Sequence, residues 1–149
     1  KTASTGARDS FEGVVFAKYA IGAVSFGASK SYLDSGLVAA GTATDLGYST
    51  RVAGGHFEND QMSIAYNVND NLSVSYTTSK DTYTGAKPTV LSTVLQSQAK
   101  VDQKSRSVQA AYSMGAMSVK AYNTTVKNAG YDTNAPELSV TEIALGLAF

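Results

Sequence analysis

The side chains that most often perform chemistry are few in this sequence, and their spacing matches no common catalytic pattern. His56 is the single histidine and cysteine is absent, so neither a multi-histidine nor a thiolate metal site can form. There is also no Gly-x-Ser-x-Gly motif, no phosphate-binding loop and no calcium-loop spacing. We therefore predict that the chain is not an enzyme and carries no metal or other cofactor. The acidic residues are scattered through predicted loops and turns, among them Asp34, Asp45, Glu58, Asp60, Asp70, Asp81 and Asp102.

Charge and hydropathy exclude further classes of protein. The 12 basic and 12 acidic side chains cancel, so no excess of positive charge indicates a nucleic-acid partner. No segment approaches the roughly 18 consecutive apolar residues of a transmembrane helix. A membrane β-barrel stays possible, because barrel strands alternate apolar and polar residues and give no long apolar run.

The spacing of apolar residues predicts an all-β chain built from hairpins. In the clearest hairpin, Met62, Ile64 and Tyr66 alternate with small or polar residues, and the alternation resumes after the turn at residues 69–71. A period of two places alternate side chains on opposite faces of a strand, whereas a helix needs spacings of three and four. The predicted hairpins span residues 12–31, 61–78 and 106–125, the other short turns lie at 20–23 and 115–116, and a last strand spans 138–149.

Three longer, polar connections separate these hairpins, at residues 34–60, 82–102 and 127–136. Short turns that alternate with long loops are typical of the antiparallel up-and-down β-barrels of outer membranes. No linker divides the chain. We therefore predict a single domain over residues 1–149, with about seven or eight antiparallel transmembrane strands.

Alternation alone fits a soluble β-sandwich as well as a barrel. Three features favour the barrel. Charged residues make up only 16% of the chain, whereas about 25% is usual in soluble proteins. Aromatic residues lie at predicted strand ends, and the chain ends on an alternating apolar segment. Aromatic residues gather at strand ends where barrels meet the two membrane interfaces. The predicted interface aromatics are Tyr19, Tyr66, Tyr76, Tyr112 and Phe149, and the apolar ending comprises Ile143, Leu145, Leu147 and Phe149.

Several segments resemble the porins of alphaproteobacteria. Residues Met62–Tyr76 resemble a late hairpin of these proteins, and Phe11–Val15 with Tyr19–Ser31 resemble an earlier one. Residues Thr141–Phe149 are similar to the final strand, whose apolar ending is part of the signal read by the outer-membrane assembly machinery. The resemblance implies a barrel of about 16 strands in a bacterial outer membrane, surrounded by membrane lipids and assembled as a homotrimer. It also implies a channel, narrowed by an inward-folded third loop, for passive diffusion of small hydrophilic solutes and ions.

In such a channel, charged side chains on the polar faces of the strands would line the pore. Lys18, Lys120 and Glu142 lie opposite the apolar stripe of their strands. Arg51 and Arg106, like Lys104, lie at loop or strand starts and are expected to point inward. A Lys or Arg facing lipid near the midplane costs about 2–4 kcal/mol, which favours an orientation toward water.

The strand count predicts that the chain is the C-terminal portion of a larger barrel. If the last strand ends in the periplasm, a seven-stranded chain starts outside the cell, whereas complete barrels generally have an even number of strands. Seven strands would also leave two unpaired edges in lipid. Alternatively, an eighth strand within residues 40–55 would close a small structural or adhesive barrel without a conducting pore.

Overall fold

A computed structural model describes residues 9–34, 55–85 and 100–148, which form one antiparallel sheet of seven strands. The strands follow one another in the sheet in chain order, so the predicted all-β, up-and-down arrangement is confirmed. A short 3₁₀ turn, Ala129–Tyr131, lies between the last two strands, and none of the described residues forms a helix that could span a membrane. The strands are β1 (Phe11–Ile21), β2 (Val24–Asp34), β3 (His56–Asn67), β4 (Leu72–Thr84), β5 (Lys100–Met114), β6 (Met117–Lys127) and β7 (Leu138–Leu147).

Three short turns join the strands at one end of the sheet, as predicted. Gly22 and Gly115 each occupy the first position of a two-residue turn, with φ of 56° and 57°. A positive φ at the first central residue alone is the geometry of a type II′ hairpin turn, which glycine adopts without strain. In the third turn, Asn69 Oδ1 accepts hydrogen bonds from the backbone N–H groups of Asn71 and Leu72, at 2.9 and 2.8 Å.

The strands extend further into the predicted loops than the apolar pattern indicates. β3 begins at His56, β4 continues to Thr84 and β5 begins at Lys100. These extensions are mostly polar, with only Phe57, Tyr83 and Val101 as large apolar residues, but their backbone groups continue the same antiparallel register. Backbone pairing does not require apolar side chains, so hydropathy could not reveal it.

The sheet has one face of small polar side chains and one face of apolar side chains, since directly opposed residues of paired strands lie on the same side. The registers place the predicted apolar stripes of all seven strands on a single face. We call this the apolar face; it includes Phe26, Ile64, Val74, Tyr76, Val108, Val119 and Leu145. The other side, the polar face, includes Ser25, Ser29, Gln61, Ser63, Ser75, Thr77, Gln109 and Ser118. The polar face of the two edge strands also carries apolar side chains: Val14 and Phe16 on β1, and Leu138 and Val140 on β7.

Exposure to solvent is reversed relative to an ordinary water-soluble sheet. Along β4, Val74 and Tyr76 on the apolar face are exposed, whereas Ser75 between them is half-buried. Met62 is 65% exposed and Ile143 is 72% exposed. Val101 is the one buried hydrophobic side chain among the described residues. The described part of the chain therefore has no hydrophobic core between layers; its apolar side chains lie on an open surface.

The described sheet is open, with β1 and β7 at its two edges, so the predicted closed barrel is not observed. Because the strand number is odd, β1 and β7 run in the same direction and could not close the sheet as an antiparallel pair. The predicted eighth strand within residues 40–55 falls almost entirely outside the described residues. Its place between β2 and β3 is filled, however, because these strands pair directly from Val24–Tyr66 to Asp34–His56.

Candidate functional site

The polar face brings three of the predicted pore-lining residues to one side of the sheet. Lys120 on β6 lies between Ala111 and Ala144 of the neighbouring strands. Glu142 on β7 accepts a 2.6 Å hydrogen bond from the Tyr122 hydroxyl. These charges lie among small side chains, which leave them accessible to water.

Lys18 lies on the same face at the β1 edge, directly opposite Gly27. It borders a shallow depression lined by small side chains, including Ser25 and Ser63. A Cβ atom at Gly27 would come within 2.7 Å of Ser63 Oγ, so a side chain at position 27 would have to displace the Ser63 hydroxyl. The described residues contain no group of three or more side chains able to hold a metal ion.

The connection between β6 and β7 folds over the polar face, which the sequence did not reveal. The Asn128 side-chain amide donates to the Asp102 carbonyl oxygen, and the Gly130 N–H donates to Gln103 Oε1, both at 2.8 Å. Asn128, Gly130 and Tyr131 all have positive φ, from 54° to 69°, which turns the chain sharply. The Asn and Gly of this segment indicate a turn, but not the direction in which it folds.

Tyr131 anchors this connection to two strands on the far side of β5. Its ring centroid lies 5.5 Å from that of Phe57 on β3 and 5.7 Å from that of Tyr83 on β4. Phe57 and Tyr83 face each other across the two strands at 4.9 Å. The three rings form an aromatic cluster on the polar face, at the end of the sheet away from the short turns.

Arg106 and Lys104 lie on the apolar face, so the prediction that they point to the same side as Lys18 and Lys120 is wrong. Arg106 donates to Glu137 at 3.2 Å, and Lys127 contacts the same carboxylate at 3.1 Å. The hydrogen bond from Lys127, with the charge of Arg106, lowers the pKa of Glu137. Sequence reasoning followed the position of Arg106 at a predicted strand start, whereas β5 begins six residues earlier, at Lys100. Arg51 lies outside the described residues.

The tyrosines predicted at the membrane interfaces all lie exposed on the apolar face. Tyr19, Tyr66 and Tyr112 are all near the short turns. Tyr76 is not at a strand end as predicted; it lies inside β4, next to Thr78, where the apolar side chains stop. The side chains predicted as an assembly signal, Ile143, Leu145 and Leu147, share the apolar face, and Phe149 lies outside the described residues.

The apolar side chains of β2 to β7 form a band that runs obliquely across the strands. It occupies alternate positions of Val24–Ala28, Met62–Tyr66, Leu72–Tyr76, Val108–Met114, Met117–Ala121 and Ile143–Leu147. The end of the band that is distant from the short turns lies at Ala28 on β2 and at Ile143 on β7. Followed through the register from β2 to β7, this end moves by four residues toward the short turns. A shift of four residues of about 3.4 Å each, across five strand spacings of about 4.8 Å, corresponds to an angle of about 30° between the edge of the band and the perpendicular to the strands.

No known protein family, curated protein or solved structure matches the chain.

Proposed function

We propose that the seven strands form part of the wall of a transmembrane β-barrel in a bacterial outer membrane. The apolar face contacts lipid and the polar face borders a water-filled channel for passive diffusion of small hydrophilic solutes and ions. The observation that carries the proposal is the reversed exposure of the sheet: Met62, Val74 and Ile143 are exposed on one continuous apolar face. In water such a surface favours aggregation, whereas in a bilayer it is the expected outer face of a barrel.

The dimensions of the strands support the same proposal. They contain 10 to 15 residues, and a tilted strand crosses a bilayer with about 9–11. The oblique course of the apolar band corresponds to strands tilted by about 30°, close to the roughly 35–45° of outer-membrane barrels. A band parallel to the membrane must run obliquely across tilted strands.

A barrel requires partners for the free edges of β1 and β7, because unpaired backbone groups are not tolerated in lipid. Further antiparallel strands at these edges would satisfy both and close the wall. The porin resemblance adds a homotrimer and delivery by the outer-membrane assembly machinery to the proposal.

Within the channel, Lys18, Lys120 and Glu142 are the proposed pore-lining charges of the described wall. Fixed charges on a narrow aqueous path bias which ions pass. The β6–β7 connection and Tyr131 lie over the same face and would reduce the free cross-section at the mouth opposite the short turns.

Single-channel recording of the full-length protein in a planar bilayer tests the proposed function. We expect steady open steps that close in thirds, and a shift of selectivity toward cations in Lys120→Glu. Lys100→Glu, on the apolar face, is the matched control and should shift selectivity less. A correctly folded protein without conductance would overturn the channel and favour the structural or adhesive barrel.

Tyr131→Ala tests the part of the wall that the β6–β7 connection covers. Loss of the aromatic contacts should release the connection from Phe57 and Tyr83, raising single-channel conductance and admitting larger neutral solutes. Thr133→Ala changes an exposed side chain of the same connection and should have no such effect. Equal conductance in the two variants would show that the connection does not restrict the channel.

A further inference from the structure

Three lysines lie in direct register across β4, β5 and β6 on the apolar face, beyond the end of the apolar band that is distant from the short turns. Lys80 on β4 is opposite Lys104 on β5, and Lys104 is in turn opposite Lys127 on β6. All three side chains are exposed. We call these three residues the basic row.

Acidic side chains balance only part of this charge. Continued along the register, the row includes one acid, Asp60, which lies opposite Lys80 but forms its 2.8 Å ion pair with Lys30. Glu58 and Asp102 lie on the same face one position further from the short turns; Glu58 contacts His56, and Asp102 accepts a hydrogen bond from Thr82. Glu137 contacts Lys127, but it is shared with Arg106.

Lys80 and Lys104 have neither an ion pair nor a side-chain hydrogen bond within the part of the chain that the structure describes. Directly opposed residues have Cβ atoms about 4.5–5.5 Å apart, and like charges in this position destabilise a sheet. An anion placed between the ammonium groups would remove this repulsion and accept their N–H bonds.

The position of the row indicates the source of the anion. The apolar band ends at Tyr76 on β4 and Val108 on β5. On the same face, Thr78 separates Tyr76 from Lys80, and Arg106 separates Val108 from Lys104. A lipid whose acyl chains cover the band would hold its headgroup at this level. A free inorganic anion would gain nothing from the neighbouring apolar surface.

We propose that the basic row, with Arg106 at its lower side, binds the phosphate groups of membrane lipid headgroups. This inference rests on the proposed function, because it requires the apolar band to face lipid. Lysine ammonium groups supply point charges to phosphate oxygens, and an arginine fork adds paired N–H donors. The site orients the wall by fixing the edge of the band at the headgroup layer.

The test is a titration of the full-length protein, in a neutral detergent, with phosphatidylglycerol. Lys80→Gln/Lys104→Gln is compared with Lys18→Gln/Lys120→Gln, which removes the same charge from the polar face. With about 1 kcal/mol for each lysine near an anionic lipid surface, the row variant should bind about thirtyfold more weakly. The polar-face variant should bind like the unmodified protein, and Lys80→Arg/Lys104→Arg should retain binding.

Each result decides the proposal. Equal affinity of the row variant and the unmodified protein would overturn it, as would equal weakening by the polar-face control. If zwitterionic phosphatidylcholine binds as tightly, acyl chains alone account for binding. If inorganic phosphate displaces the lipid at similar affinity, the site is one for free anions and not for lipid headgroups.

Conductance recorded on the same protein separates the two proposals. Row-dependent lipid binding without conductance would reject the channel and retain the lipid site. Conductance together with lipid binding that does not depend on the basic row would retain the channel and reject the lipid site. Circular dichroism of each variant verifies that its strands have formed before either measurement.

Discussion

Glu137 shows how one carboxylate stabilises the region where β5, β6 and the last connection meet. It contacts Arg106 at 3.2 Å and Lys127 at 3.1 Å, and both cations also belong to the proposed headgroup site. Since these cations favour the ionised carboxylate, its pKa is lowered relative to the unfolded chain. The stabilisation is therefore complete above the unfolded pKa, about 4.3, and is lost as the pH falls through the folded pKa.

We predict that Glu137→Gln lowers the unfolding midpoint at neutral pH and that this loss is smaller near pH 3, since the stabilisation decreases as the pH falls toward and through the lowered folded pKa of the carboxylate. Denaturant titrations of the folded protein in detergent at both pH values measure this. Glu12→Gln, on the edge strand β1, removes an acid that has no ion pair with any described residue and is the matched control. An equal loss at both pH values would show that Glu137 acts through shape and not through charge.

At the scale of single elements, the hairpin turns depend on glycine at two positions. Gly22 and Gly115 have positive φ, and no neighbouring atom lies within 4 Å of a Cβ built at either position. Backbone strain is therefore the only cost of a side chain there. The sequence predicted both turns, since a Gly-Ala pair between alternating strands satisfies a type II′ turn.

We predict that Gly115→Ala destabilises the protein by about 1–2 kcal/mol, the cost of a left-handed backbone for an L-residue. The reverse change at the next position, Ala116→Gly, leaves the turn geometry intact and should cost less. Equilibrium unfolding followed by circular dichroism measures both. If the two variants are equally stable, the turn at 115–116 does not have the assigned geometry.

The two faces of β4 can be compared through adjacent residues. If the apolar face contacts lipid, Val74→Lys should destabilise the protein in a bilayer, by less than the roughly 2–4 kcal/mol of the midplane because Val74 lies near the short turns; Ser75→Lys should cost much less because its side chain points to water. Unfolding of both variants in phospholipid vesicles measures the difference. A harmless Val74→Lys would indicate that this face is in water.

Most strands could be predicted because each has its own alternating pattern, which needs no information from its neighbours. Continued back from Val108 to Arg106, the same alternation gives the apolar face, so the error was to treat Arg106 as the start of a strand. The true start of β5 could not be predicted, because it lies in a mostly polar segment that pairs with the end of β4 and adds side-chain hydrogen bonds such as Thr82–Asp102. The inward fold of the β6–β7 connection depends on Phe57 and Tyr83, which are distant in sequence from Tyr131.

At the scale of the whole molecule, the described sheet has no second layer to cover its apolar face. We therefore predict that the protein keeps its β-structure in detergent and aggregates when the detergent is removed. Circular dichroism and sedimentation of the same sample, before and after dilution below the critical micelle concentration, measure this. A folded, monodisperse protein in detergent-free buffer would support the soluble β-sandwich and contradict the barrel.

The sequence by itself determined the strands, their short turns and the apolar side of each strand, because alternation and turn residues act over a few neighbouring positions. It also placed Lys18, Lys120 and Glu142 opposite that side. Only the tertiary structure decided which residues lie opposite each other on neighbouring strands. The register aligned Lys80, Lys104 and Lys127, set the band oblique to the strands and left the edges of β1 and β7 open. Register arises from pairing between distant segments, and no local pattern contains it.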